Sequence, residues 1–213
     1  MTTLLTLVCF AVNEEAAFFR KLCSTKSNVR LWLTGIGKRN SEKSIRMALT
    51  QERPGLVISS GFAEALRAGL NTGDIVYSAD PESGLEPALA ALGARRVEFY
   101  CAEQIAGTAT EKQTLRSATG ADAIEMESDV IRRVCREKGI TSATIRVILD
   151  TCSEDLPLDF NRLMTQDQKL DAGKLALALI KSPTKIPAVL GLQKQSKAAA
   201  RQLGETLANL LLK

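Results

Sequence analysis

The strongest constraint in this chain is an alternation of two periodicities. Short apolar runs rich in β-branched residues occur at positions 4–12, 29–33, 56–60, 74–78, 97–101 and 143–149. Their apolarity is nearly continuous, which is what strands covered on both faces show. Between them lie amphipathic patterns of helical period, at 14–23, 40–50, 83–92, 111–119 and 128–138. Gly139 closes the last of these as a C′ residue, and a strand follows at once. Strand and helix in regular alternation predict an α/β layered domain. At 213 residues the chain has the length of one domain, residues 1–213, with 150–213 as a C-terminal loop and helices packed on the core.

The chain contains no histidine. That excludes Ser-His-Asp triads, Cys-His dyads, His-liganded zinc and imidazole general bases. Any catalysis must come from carboxylates, hydroxyls, Lys, Arg, Tyr or backbone amides. The five cysteines are scattered, with no CxxC pair, so no metal site is expected and the thiols fit a reducing cytoplasm. A net charge of +4, without a basic stripe interleaved with aromatics, gives no reason to expect nucleic acid as a partner. The apolar start lacks a preceding basic residue and a cleavage site, so it reads as a first strand rather than a signal peptide. No integral membrane segment is expected, because no run reaches the ~18 apolar residues of a span. In the tail, Leu203, Leu207, Leu210 and Leu211 recur at helical spacing, opposite Lys194, Lys197 and Arg201. Residues 181–213 hold six basic residues and one acid. This is either a solvated amphipathic helix packed on the core or an interfacial helix making peripheral lipid contact.

Four segments carry chemistry. Thr34-Gly35-Ile36-Gly37-Lys38-Arg39-Asn40 follows a strand and opens a helix. It is either a plain glycine turn or an anion loop, with the amides of Gly35 and Gly37 and the charges of Lys38 and Arg39 facing a ligand. Ser59-Ser60-Gly61-Phe62-Ala63-Glu64 stands at another strand end, where α/β sheets bind ligands. Glu125-Met126-Glu127 opens a helix. Its carboxylates either complement the helix dipole or accept the hydroxyls of a ribose diol, with Met126 as an adaptable apolar wall. Asp150 ends an apolar strand that also carries Arg146. It is either a cap or a proton donor and hydrogen-bond partner for a heterocycle nitrogen.

Taken in order, Ala11-Val12-Asn13-Glu14-Glu15, Thr34-Gly35-Ile36-Gly37, Gly61-Phe62-Ala63, Gly73-Asp74-Ile75-Val76, Glu125-Met126-Glu127 and Arg146-Val147-Ile148-Leu149-Asp150 resemble the nucleoside phosphorylase and nucleosidase superfamily. The similarity spans nearly the whole chain through Asp150. Ala118-Thr119-Gly120-Ala121, Leu156-Pro157 and Ile186-Pro187-Ala188-Val189-Leu190 look most like the hopanoid-associated phosphorylase branch. In the first half the methylthioadenosine/S-adenosylhomocysteine nucleosidases are the next most similar.

The resemblance implies a phosphorylase/hydrolase-like, three-layer α/β/α sandwich around a mixed central sheet, assembled as a homo-oligomer. It implies cleavage of the C1′–N bond of a purine nucleoside of adenosine type, with no cofactor and with phosphate as a possible co-substrate. On that pattern Asp150, Glu15 and Arg146 are catalytic: Asp150 at the N7 side of the base, Glu15 activating water, Arg146 near the nucleophile. Glu127 binds the ribose hydroxyls, with Met126 under the sugar and Glu125, Ala63 and Phe62 completing the substrate site. Gly35, Gly37, Lys38 and Arg39 match the anion loop. Phe99 and Tyr100 are the candidates for stacking on the base.

Three positions depart from the nucleosidase pattern. Phe62 replaces a small or hydroxyl residue, Glu64 replaces a glycine, and Leu149 stands where a serine is usual. They motivate a second class of function, a non-catalytic nucleoside-binding protein on the same fold.

Overall fold

The structure, a computed structural model, describes residues 4–212; the first three residues of the apolar start lie outside them. The strands are β1 (Thr6–Phe10), β2 (Val29–Leu33), β3 (Leu56–Ala65), β4 (Ile75–Ala79), β5 (Arg95–Arg96), β6 (Phe99–Cys101), β7 (Ala123–Glu125) and β8 (Thr141–Asp150). The helices are α1 (Asn13–Cys23), α2 (Lys38–Gln51), α3 (Glu86–Ala91), α4 (Ala109–Thr119), α5 (Ser128–Glu137), α6 (Phe160–Leu163), α7 (Ala172–Lys181) and α8 (Ile186–Leu211).

The strands form one mixed sheet in the order β2-β1-β3-β8-β4-β5. Pairing is parallel throughout that path except for β4, which runs antiparallel to β8. The far end of β3 turns away from β1 and pairs through Glu64 and Ala65 with β7, which in turn pairs with β6. The sheet therefore curls at the carboxyl end of its central strands.

Both faces are covered. Val8 and Phe10 of β1 pack with Ala16 and Phe19 of α1 and with Leu203 and Leu207 of α8. Leu7 and Cys9 point the other way, onto Ile45 and Ala48 of α2 and Ile131 and Val134 of α5. With helices on both sides, the four positions of β1 from Leu7 to Phe10 are all apolar and buried, and the result is the three-layer α/β/α sandwich expected. Helix α8 sits close on α1: a Cβ at Gly204 would lie 2.8 Å from Phe18 Cδ1 and 3.0 Å from the Phe19 amide nitrogen. Leu203 and Leu207 are fully buried, so this part of the tail is a packed amphipathic helix. Leu177, Ile180, Ile186 and Leu190, on α7 and the start of α8, stand exposed. Among the described residues no single helix is long and apolar enough to cross a membrane. Only the pair α7 and α8, bent by 109°, passes on length and composition together.

Three differences from the sequence reading matter for the site. Strand β3 runs on through Gly61 to Ala65, because β8 pairs with it along its whole length; residues 59–64 are strand interior, not a turn at its end. Of the run at 97–101 only Phe99–Cys101 is strand, as β6, and the short β5 lies just ahead of the run; the two join different neighbours. Strand β7 was not expected, since three residues are too few to show a period.

Candidate active site

The carboxyl ends of β1, β3, β7 and β8 converge on a cavity of about 860 Å³. Its wall includes Glu15, Phe62, Ala63, Glu64, Glu125, Met126, Glu127 and Asp150. Apolar residues from the C-terminal region, among them Leu156, Phe160, Met164 and Leu170, form the rest of the wall.

Glu15 lies in the first turn of α1 and is buried. Its Oε2 accepts from the amides of Ala11 (3.1 Å) and Val12 (3.3 Å), and its Oε1 accepts from the amide of Phe62 (2.9 Å). A carboxylate has about four lone-pair sites, so Glu15 keeps one, on Oε1. Gly61 makes room for this arrangement. Its φ is +145°, and a Cβ there would lie 2.5 Å from Glu15 Oε1 and 2.6 Å from Arg146 Nη1.

Arg146 points from the middle of β8 into the protein and is 1% exposed. Its guanidinium donates to Glu125 Oε2 (2.5 Å), Glu127 Oε2 (3.2 Å), Ser59 Oγ (3.1 Å) and the Ser60 carbonyl (3.2 Å). It does not line the cavity; it lies behind the acids as a buried counter-ion that orients them, with Nη1 on the same side of Gly61 as Glu15 Oε1. Glu125 lines the cavity and also braces the helix start. It accepts from the amides of Glu127 and Ser128 and from the Ser128 hydroxyl. Three of its four hydrogen bonds fall on Oε2, so it chiefly supports Arg146 and the start of α5, while Oε1, on the cavity wall, keeps one lone-pair site.

Glu127 differs. It accepts only from the Gly37 amide (2.9 Å) and Arg146, which leaves two lone-pair sites on a cavity wall. Burial pushes its pKa up to about 7, with Arg146 opposing and the Glu125 and Glu15 charges adding to the rise. Burial raises Glu15 as well, against Arg146 and its three backbone amides.

The anion loop is not formed as expected. The Gly37 amide is committed to Glu127, Lys38 pairs with Glu103 at 2.9 Å, and Arg39 is exposed. Of Gly35, Gly37, Lys38 and Arg39, only Gly35 lines the cavity. Phe99 packs against a core cluster and Tyr100, 37% exposed, is not on the cavity wall, so the aromatics at the cavity are instead Phe62 and Phe160.

At the other end, Asp150 is 3% exposed. Its Oδ2 accepts from the ammonium of Lys112, a fully buried lysine of α4. Lys112 also donates to the carbonyls of Thr151 (2.9 Å) and Glu154 (2.8 Å). The sequence reading missed Lys112. The signal was there: Thr108 and Glu111 form a reciprocal capping box, which starts α4 before Glu111 and turns Lys112 inward. Asp150 Oδ1 and Glu64 Oε2 are buried without a partner. Among the described residues no group of three or more Cys, Asp or Glu is arranged to hold a metal ion.

Comparison with known proteins returns one consistent picture. The phosphorylase superfamily model matches residues 84–181. A 5′-methylthioadenosine/S-adenosylhomocysteine nucleosidase from Glaesserella parasuis serovar 5 (strain SH0165) is 26% identical over 173 residues, 65% of this chain and 74% of that protein. Among solved structures, a futalosine hydrolase mutant of Helicobacter pylori strain 26695 superposes with a TM-score of 0.74 at 14% identity, covering 98% of both chains. The Helicobacter pylori 5′-methylthioadenosine/S-adenosylhomocysteine nucleosidase with butyl-thio-DADMe-Immucillin-A gives 0.73 at 13% identity, covering 99% of both. At such identities the structural likeness establishes the fold. The family resembled by the sequence motifs is the one these comparisons return.

Proposed function

We propose that this protein is a cytoplasmic, homo-oligomeric purine nucleosidase. It uses water to cleave the N-glycosidic bond of an adenosine-type nucleoside with an apolar 5′ substituent. One observation carries the reading: in a single cavity, acids with spare acceptor capacity occupy separate corners, Glu127, Glu15 and the Asp150–Glu64 pair. The similarity of chain and fold to nucleosidases supports it.

Departure of the base leaves positive charge on the ribose and negative charge on the purine. Glu127 accepts the two ribose hydroxyls, and Met126 packs under the sugar. Fixed carboxylates around the ring favour the cationic transition state. Water held on the free lone pair of Glu15 adds its oxygen to C1′ as the C1′–N bond breaks. The water proton passes to Glu15, and the base takes a proton at N7 from the acid pair. The cavity wall carries six acids and one lysine, Lys169, and neither Lys38 nor Arg39 lines it, so it offers little to hold a phosphate dianion, and water is the nucleophile it suits. The apolar wall from the C-terminal region suits a 5′ substituent.

The test is release of free base from a panel of 5′-substituted adenosines, 5′-methylthioadenosine included, with and without phosphate. Asp150→Asn should lower turnover by orders of magnitude; near-normal activity in that variant would remove Asp150 from the site. One observation favours a second reading, a non-catalytic nucleoside-binding protein: Asp150, the expected proton donor, already faces an ammonium. Thermal stabilisation by adenosine analogues, with no base released over hours, would establish that reading instead.

A further inference from the structure

We propose that Glu64 is the catalytic acid that protonates the leaving base, while Asp150, held as an anion by Lys112, accepts a hydrogen bond from the same base edge. This rests on the nucleoside-cleaving reading above and assigns its proton to a residue where the family pattern has a glycine.

The geometry comes from one irregularity. Strands β3 and β8 pair in register from Leu56↔Thr141 to Ala63↔Ile148, and the next pair is Glu64↔Asp150. Leu149 is the extra residue of a bulge, and its carbonyl accepts from Gln195 of α8 and the Thr72 hydroxyl. In an unbroken ladder Glu64 would face Leu149. The bulge instead puts two carboxyl groups side by side, pointing the same way into the cavity. Each ends in a buried oxygen without a protein partner, Glu64 Oε2 and Asp150 Oδ1. Buried polar atoms are rarely left unpaired, so a pair aimed into one cavity reads as a ligand clamp.

Two carboxylates and one ammonium would leave this buried cluster with a net negative charge. One proton makes it neutral. Lys112 lies against Asp150, so the proton belongs on Glu64. Burial and the Asp150 charge push the Glu64 pKa up to about 8, with Lys112 and the Ala106 amide opposing and Glu111 of α4 adding slightly. At neutral pH the clamp then presents one O–H donor and one anionic acceptor. The 6-amino edge of adenine offers the complement: N7 accepts, and the exocyclic amine donates. A 6-oxo purine would set its oxygen against Asp150. As the glycosidic bonding pair moves onto the base, the Glu64 proton moves to N7 and leaves a carboxylate, reprotonated from solvent after release.

The test compares wild type with Glu64→Gln on two substrates, 5′-methylthioadenosine and 4-nitrophenyl β-D-ribofuranoside, whose nitrophenolate needs no proton to leave. The expected result is a kcat on the nucleoside reduced on the order of 100-fold or more, near-equal rates on the nitrophenyl riboside, and loss of an alkaline limb near pH 8 seen in wild type. Equal loss on both substrates, or no loss on the nucleoside, overturns the proposal. Should the variant fold poorly, infrared difference spectra of wild type decide: a protonated carboxyl band must titrate near pH 8 and shift when adenine binds, and its absence overturns the proposal. A wild type that releases no base from any nucleoside overturns the nucleosidase reading and this proposal together. An active wild type with an unaffected Glu64→Gln overturns this proposal alone.

Discussion

Replacing Lys112 with methionine isolates the electrostatics of the site. Its ammonium is the cation paired with Asp150, and both side chains are at most 5% exposed. Losing one member of such a pair costs about 3–5 kcal/mol, because the other is left as an uncompensated buried charge. Here the loss has a ceiling, since Asp150 can take a proton instead. From an ordinary value of 3.8, protonating a carboxyl at pH 7 costs about 4 kcal/mol, and at pH 5 under about 2 kcal/mol. The sign follows. In the variant the folded-state pKa of Asp150 rises further above its unfolded value, so the folded chain binds protons more tightly. The penalty is absent below about pH 4 and grows as pH rises toward the folded pKa. Urea unfolding followed by the fluorescence of Trp32 at pH 5 and pH 7.5 measures it. The expected loss for Lys112→Met is under about 2 kcal/mol at the lower pH and about twice that at the higher. Lys112→Met combined with Asp150→Asn should recover most of it, because no buried charge remains. A loss that is the same at both pH values, or below about 1 kcal/mol at both, would refute the buried pair.

Gly61→Ala should destabilise by about 3 kcal/mol or more and abolish turnover, because its Cβ meets Glu15 and Arg146 at a backbone angle that L residues rarely adopt; unfolding and activity within error of wild type would contradict the crowding. Glu127→Gln should weaken nucleoside binding by about 1.5–3 kcal/mol, the range for hydrogen bonds to a charged group, with a smaller effect on 2′,3′-dideoxy analogues; equal effects on both would remove Glu127 from the ribose. Glu64 and Glu127 have folded-state pKa values raised to about 8 and about 7. Their contribution to stability is present below about pH 4.5 and is lost as pH rises through those values, by up to about 1.4 kcal/mol per pH unit for each group. Melting temperatures should therefore fall from pH 5 to pH 8.5, and a rise across that range would contradict the assignment.

The layers of the fold were legible because they rest on local periodicity: β1 is apolar without a break from Leu7 to Phe10 since helices cover both its faces, and α8 shows its buried stripe as Leu203 and Leu207. The acids of the site were legible as residue types in order along the chain. What each one does depends on contacts between residues far apart in sequence. Glu125 and Glu127 look alike in the chain, yet one accepts four hydrogen bonds from α5 and Arg146, while the other accepts only two and keeps two lone-pair sites. Lys38 looked like an anion ligand but meets Glu103, 65 positions on. Glu64 looked out of place beside an anion loop. The bulge at Leu149, which no local pattern announces, gives it a partner in Asp150.

The most direct test of the central claim is to follow cleavage of a 5′-substituted adenosine in phosphate-free water enriched in ¹⁸O, with mass spectrometry of the sugar product. If Glu15 holds the attacking water, free adenine must appear together with a ribose carrying one ¹⁸O at C1, and added phosphate must change neither the rate nor the product. A requirement for phosphate, with an unlabelled ribose 1-phosphate as product, would contradict it.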